Sequence, residues 1–147
     1  MYQRLLCLLG NGPDAERVLE RAQQARDHFG ARLHLLQVVE FMPVSGAEDA
    51  MLATPLVLAD ELETQARERM QRWAEQASVD ADHARVLQGD LATEVPRCAQ
   101  DWDIDLIVLG KHERHGLACW FNHSEDDILH ASCCDLLAVH LAEAKDD

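Results

Sequence analysis

The stretch from residue 107 to residue 127, IVLGKHERHGLACWFNHSEDD, holds the side chains whose types and spacing come nearest to a chemical site. It combines a glycine after an apolar run with imidazoles, a thiol and a cluster of acids. Two kinds of site use such residues. A phosphate loop uses glycines because they let backbone amides approach an anion closely. A metal centre uses histidine and cysteine as ligands.

The metal alternative depends on His112, His115, Cys119 and His123. Their spacing, H-x-x-H-x3-C-x3-H, matches no established zinc signature. We therefore interpret them as polar loop residues and expect neither a metal nor a cofactor. A metal- or thiol-dependent activity in the segment from His112 to Cys134 is kept as the less favoured alternative.

The acids that end the stretch form a helix-start signal. Ser124 is a suitable N-cap, and Ser124 with Asp127 approximates a capping box. Glu125, Asp126 and Asp127 would complement the positive end of the helix dipole themselves. A phosphate would meet three carboxylates where a nucleotide-binding helix presents bare amides. In this stretch the acidic side chains themselves take the place of a bound anion at the helix start.

The composition limits the class of protein. A chain of 147 residues is the usual size of one domain, and we assign residues 1–147 to one. Acids outnumber bases 27 to 13, and no basic patch is present, which argues against nucleic acid. No apolar run is long enough for membrane insertion. Five cysteines without a C-x-x-C pair indicate free thiols, and we expect a cytoplasmic protein.

Short apolar runs alternate with segments of helical period along the chain. The runs at 5–9, 33–39, 84–87, 103–110 and 134–141 predict strands, and helices are predicted from 14, 57, about 93 and 124. This order indicates an α/β fold, a single doubly wound five-stranded parallel sheet with four helices. Ligands of such sheets bind at the carboxyl ends of the strands, where the winding reverses.

Three details of this prediction concern the helices and their connections. Residues 40–56 lack a clear period and predict a long connection. The second helix should bury one stripe, and Pro96 should lie in the first turn of a third helix that begins near Thr93. The members of the stripe are Leu58, Leu62, Ala66, Met70, Trp73 and Ala77.

The order of the segments RLLCLLGNGPDAERVLERA, ARLHLLQVVE, GDLATEV, DIDLIVLGKHERHGL and CDLLAVHL resembles the universal stress protein family over nearly the whole chain. The resemblance implies the five-stranded doubly wound fold. It also implies a homodimer in which the final strands pair antiparallel. The interface residues expected from it are Leu136, Leu137, Ala138, Val139, His140 and Leu141.

Members of that family that bind ATP carry an Asp at the end of strand one and the motif G-x-x-G-x9-G-[ST] after strand four. Gly110 and Ser124 match its first and last positions, whereas Glu113 and His123 replace the other glycines. Gly10 stands where the strand-one acid is expected. The chain therefore resembles the UspA type, the branch that lacks the intact motif. The vestigial pocket positions are Gly10, Val38, Gly110, Glu113, His123 and Ser124.

The departure at Glu113 carries a physical cost for a nucleotide. A carboxylate within about 4 Å of a phosphate charge costs on the order of 4 kcal/mol at an effective dielectric of 20. We expect ATP and AMP not to bind, and we expect a non-catalytic homodimer that regulates a stress response by contact with a protein partner. The alternative is an adenine-nucleotide-binding stress sensor, with or without hydrolysis of ATP.

Overall fold

The structure is a computed structural model that describes residues 1–10, 13–39, 55–111 and 134–140. Its strands are β1 (Arg4–Leu8), β2 (Arg32–Val39), β3 (Ala84–Gln88), β4 (Leu106–Lys111) and β5 (Asp135–His140). Its α-helices are α1 (Ala15–Phe29), α2 (Pro55–Ala77) and α3 (Leu91–Asp101), and a short 3-10 helix spans Ala81–His83.

The five strands form one parallel sheet in the order β3-β2-β1-β4-β5. β1 lies at the centre, where Leu6 is in register with His34 of β2 and with Ile107 of β4. On the β2 side of the sheet, Leu36 of β2 is opposite Arg85 of β3. The winding therefore reverses at β1 and β4, which is the arrangement that a doubly wound sheet requires.

Two hydrophobic layers cover the sheet because successive side chains of each strand point to opposite faces. On one face, Leu5 and Cys7 of β1 pack with the apolar sides of α1 and α2. On the other face, Leu6 and Leu8 pack with Val95, Cys98 and Ala99 of α3. The central strands are apolar on both faces for this reason, and the predicted α/β fold is confirmed.

Local sequence signals predicted the ends of several helices to within a few residues. Gly30 ends α1 in the left-handed conformation, with φ of 63°, as a helix-capping glycine should. The predicted connection of residues 40–56 extends too far towards the C-terminus, because α2 already begins at Pro55. Proline suits the first position of a helix. Residues 40–54 and the fourth predicted helix lie outside the described residues.

The stripe predicted for α2 is correct for Ala66, Met70, Trp73 and Ala77, which are buried. It is wrong for Leu62, whose exposed fraction is 40%. The core face of α2 is formed by its later turns, where Met70, Trp73 and Ala77 join the layer beneath α1. Leu62 lies earlier on the helix, so helical period alone did not show that its turn is left uncovered.

The start predicted for α3 is wrong, because the helix begins at Leu91 and Pro96 lies inside it. Asp90 has an extended conformation, and its carbonyl oxygen accepts hydrogen bonds from the amides of Thr93 and Glu94. The helix starts where this N-cap residue places it. Pro96 removes one helical donor, but its ring is buried and contributes to packing.

No helix in the parts of the chain that the structure describes is long and apolar enough to cross a membrane.

Candidate functional site

The carboxyl ends of β1, β2 and β4 define the position where a doubly wound sheet binds ligands. β1 lies between the other two strands there. The amide of Leu9 continues the ladder after β1 by donating to the carbonyl of Leu36, at 2.9 Å. The chain leaves the sheet at Gly10, which is exposed.

The structure brings three of the six predicted pocket positions to this edge. Gly10 follows β1, and a methyl group added to it would meet no atom of the described residues within 4 Å. Val38 is half-buried near the end of β2 and packs on the layer beneath α3. Gly110 lies in β4, in register with Val139. Glu113, His123 and Ser124 lie outside the described residues, as do His112, His115 and Cys119 of the metal alternative.

No group of three or more potential metal ligands is present among residues 1–10, 13–39, 55–111 and 134–140. Two buried thiols in these ranges, those of Cys7 and Cys98, differ from activated nucleophiles. Burial raises the pKa of the Cys7 thiol far above its ordinary value, and burial also raises the pKa of Cys98. Both thiols are therefore protonated near neutral pH and act as small apolar core groups.

β5 lies at one end of the described sheet order and β3 at the other. The side chains of β5 do not share one environment. Leu137 is 38% exposed and Leu136 is half-buried, whereas Val139 is 5% exposed and belongs to the layer beneath α1. Ala138 and His140 are exposed, and Leu141 lies outside the described residues. Within the subunit, Val139 thus already has an apolar environment, and Leu137 is the apolar side chain of β5 that most needs one.

A second group of polar residues, which the motif search missed, lies on the α3 face near the outer strand β3. The His34 ring is 2% exposed, and its centroid is 4.5 Å from that of His83 and 4.8 Å from that of Trp102. Burial lowers the pKa of His34 to about 4, and the electrostatic interaction with His83 adds to this effect. Its Nδ1 has no hydrogen-bond partner among the described residues.

Arg85 completes this group from β3. Its guanidinium carbon is 4.4 Å from the centroid of Trp102, a distance at which a cation interacts favourably with the ring. The same guanidinium donates to Cys98 Sγ at 3.4 Å and lies 3.6 Å from a carboxylate oxygen of Asp101. Arg85 therefore connects β3 to α3.

The amino edge of the sheet carries a polar pocket of about 640 Å³, which the sequence prediction also missed. Its lining includes Arg4, Arg26, Arg32, Asp80 and His83. A signal for it was present, since both β1 and β2 begin with an Arg-Leu pair. The strand register was needed to show that these arginines are neighbours.

Comparison with known proteins gives the family. A sequence profile described as the Universal stress protein family matches residues 1–140. This chain is a member of the universal stress protein family.

Its curated relatives cover nearly all of it. Universal stress protein A homolog 2 of Coxiella burnetii is 31% identical over 141 residues, which are 95% of this chain and 96% of the relative. Homolog 1 of the same organism is 28% identical over 142 residues, 97% of this chain and 99% of the relative.

The fold of this universal stress protein also matches solved structures. A universal stress protein family structure from Burkholderia pseudomallei has a TM-score of 0.68 at 21% identity, covering 94% of this chain and 96% of that one. At that identity the match shows the shared fold alone, and it agrees with the sheet order and crossovers described above.

Proposed function

We propose that this universal stress protein acts in the cytoplasm as a non-catalytic homodimer that regulates a stress response through a protein partner and does not bind ATP. The observation that carries the proposal is the replacement of the family's nucleotide-binding residues. Glu113 and His123 stand at two motif glycines, and Gly10 stands at the position of the strand-one acid.

The geometry at the end of β1 supports this proposal. No atom of the described residues lies within 4 Å of a methyl group added at residue 10. Those residues leave room for a side chain there, and glycine supplies no carboxylate. A nucleotide at this edge would lose one polar contact at residue 10, and the sequence has the acid Glu113 at the position of the second motif glycine after β4.

The non-catalytic part of the proposal is supported by the two buried thiols, those of Cys7 and Cys98. Cys7 and Cys98 are buried, and burial raises the pKa of both. A thiol is a nucleophile in its deprotonated form, so neither residue is suited to covalent catalysis near neutral pH.

The dimer is supported by the outer strand β5. β5 is hydrogen-bonded to β4 on one side and is the last strand in the described sheet order. An open edge with apolar side chains favours pairing with another chain. Leu137, 38% exposed in the single subunit, and half-buried Leu136 would gain burial if a second copy of β5 paired with the first.

Calorimetric titration of ATP, with and without magnesium, tests the nucleotide proposal. Protein freed of co-purified nucleotide by mild unfolding and refolding should show no heat of binding at millimolar ATP. A triple variant that restores the motif, Gly10→Asp with Glu113→Gly and His123→Gly, should gain affinity, whereas the control Gly10→Ala should not. Micromolar binding by the unaltered protein would replace this proposal with the adenine-nucleotide sensor.

Light scattering of Leu137→Lys tests the dimer. The substitution places a charge at the open edge, so the mass should fall from that of a dimer towards that of a monomer while the thermal transition is retained. Leu62→Lys is the matched control, because Leu62 on α2 is exposed to a similar degree, 40%. A Leu137→Lys protein that stays dimeric would move the interface away from β5. Val139 is unsuitable for this test, since its substitution by lysine would bury a charge in the core.

A further inference from the structure

The pocket at the amino edge of the sheet lies opposite the edge where the family motif is found. It has a volume of about 640 Å³, within the range of small-molecule sites. Its walls are the start of β1, the turn from α1 into β2, and the connection from α2 to β3. Nothing in the proposed function uses this pocket.

The charge of the pocket is opposite to that of the protein. The chain has a formal net charge of -14, yet Arg4, Arg26 and Arg32 line this one cavity together with His83. Asp80 is the one acidic residue in the lining that the structure describes. Arg26 is paired with the Asp27 carboxylate, so the two guanidinium groups of the lining that no ion pair of the described residues includes are those of Arg4 and Arg32.

The placement of Arg4 and Arg32 is unfavourable without an anion. They are directly in register on the neighbouring strands β1 and β2. Residues in register share a face, and like charges so placed repel one another. None of the ion pairs found within the described residues includes either arginine. An anion between the two guanidinium groups would replace this repulsion with attraction.

Two other groups of the pocket are already held in place. Arg26 donates from Nη1 to the carbonyl oxygen of Ala77 and from Nε to Asp27 Oδ1, the latter at 3.1 Å. The ring of His83 packs on that of His34. A ligand would therefore meet groups whose side-chain freedom is already reduced, which lowers the entropic cost of binding.

We propose that this pocket binds a phosphomonoester of a small metabolite, with its phosphate between Arg4 and Arg32. Guanidinium groups bind phosphate through paired, charge-assisted hydrogen bonds, and a phosphate dianion carries one negative charge for each of Arg4 and Arg32. The cavity is much larger than one phosphate ion, so the organic part of the ligand lies towards Ser78, Val79 and Leu33. Inorganic phosphate shares the anionic chemistry and lacks this second set of contacts.

Calorimetric titration of ribose 5-phosphate, inorganic phosphate and ribose into the full chain tests the proposal. Ribose 5-phosphate should bind more tightly than inorganic phosphate, its affinity should fall as sodium chloride is added, and ribose should not bind. Inorganic phosphate that binds as tightly as the ester would overturn the assignment to a phosphomonoester. Ribose 5-phosphate that shows no binding at about 10 mM would overturn the site itself.

Variants locate the binding. Arg4→Gln and the double variant Arg4→Gln with Arg32→Gln should weaken ribose 5-phosphate binding, the double variant by about tenfold or more. Arg17→Gln removes an exposed arginine of α1 outside the pocket and should leave binding unchanged. The double variant should also unfold at the same temperature as the unaltered protein or higher, because it removes a repulsion. Unchanged affinity in a folded double variant, or an equal loss in Arg17→Gln, would refute the placement.

Discussion

His34 should make the folded protein sensitive to mild acid. Its ring is 2% exposed, and burial lowers its pKa from 6.5 to about 4, with smaller contributions from the charges of His83, Arg32 and Arg4. The folded state therefore prefers neutral His34, whereas the unfolded chain takes up a proton near pH 6.5. Stability from this residue is fully present above pH 6.5 and is lost as the pH falls towards 4.

The magnitude follows from these two pKa values. At pH 5.5, protonation of the unfolded chain lowers the folding equilibrium constant by about tenfold, or about 1 to 2 kcal/mol. That pH also keeps the protein away from its isoelectric point of about 4.8, where association would interfere. At pH 7.5 the loss of stability caused by protonation is close to zero, so the comparison of the two pH values isolates the effect.

The loss of stability is measured by urea unfolding at pH 7.5 and 5.5. The unaltered protein is compared with His34→Phe. Phenylalanine keeps a ring between His83 and Trp102 and cannot take up a proton. The unaltered protein should lose about 1 to 2 kcal/mol more than the variant between the two conditions. His28→Gln, a change at an exposed histidine of α1, keeps His34 and should keep the acid sensitivity. Equal losses in the unaltered protein and His34→Phe would refute the reasoning.

Three further predictions concern stability and are checked by urea or thermal unfolding. Arg85→Ala should cost about 1 kcal/mol, because it removes the contacts that join β3 to α3, whereas Arg67→Ala, which breaks an exposed pair within one helix, should cost only a few tenths of that; equal costs would contradict this. Gly30→Ala should cost about 1 kcal/mol because of its φ of 63°, while Gly10→Ala should change stability little; a neutral Gly30→Ala would be the contrary result. Asp105→Ala should cost about 2 kcal/mol, because this carboxylate accepts two backbone amides at the start of β1 at 2.9 and 3.0 Å, and a loss below 0.5 kcal/mol would show that water replaces it.

The sheet was predictable because its central strands are buried on both faces and are therefore continuous apolar runs. Leu5, Leu6, Cys7 and Ile107 show this, since each is fully buried. The end of α1 was predictable from Gly30, whose left-handed conformation is a local property. Signals of this kind depend on the residue and its neighbours along the chain.

The rest depends on which elements meet in space. Leu62 and Ala66 have the same helical phase, but only Ala66 is buried. Leu137 and Val139 alternate correctly for one face of β5, yet only Val139 reaches the core. Arg4 and Arg32 of the amino-edge pocket are likewise 28 positions apart in sequence and become neighbours through the β1 and β2 register. Of the predicted motif site, the described residues place Gly10, Val38 and Gly110 at one edge, and Glu113, His123 and Ser124 stay predictions.

The central position of β1 has a consequence for synthesis on the ribosome. β1 is made first and can pair with β2 as soon as that strand has emerged, but its other partner, β4, begins only at Leu106. Until then β1, whose residues after Arg4 are all apolar, keeps one hydrogen-bonding edge open in the growing chain. Nascent chains with such edges associate readily, so the N-terminal half should depend on chaperones or on slow, protected emergence until β4 closes the sheet.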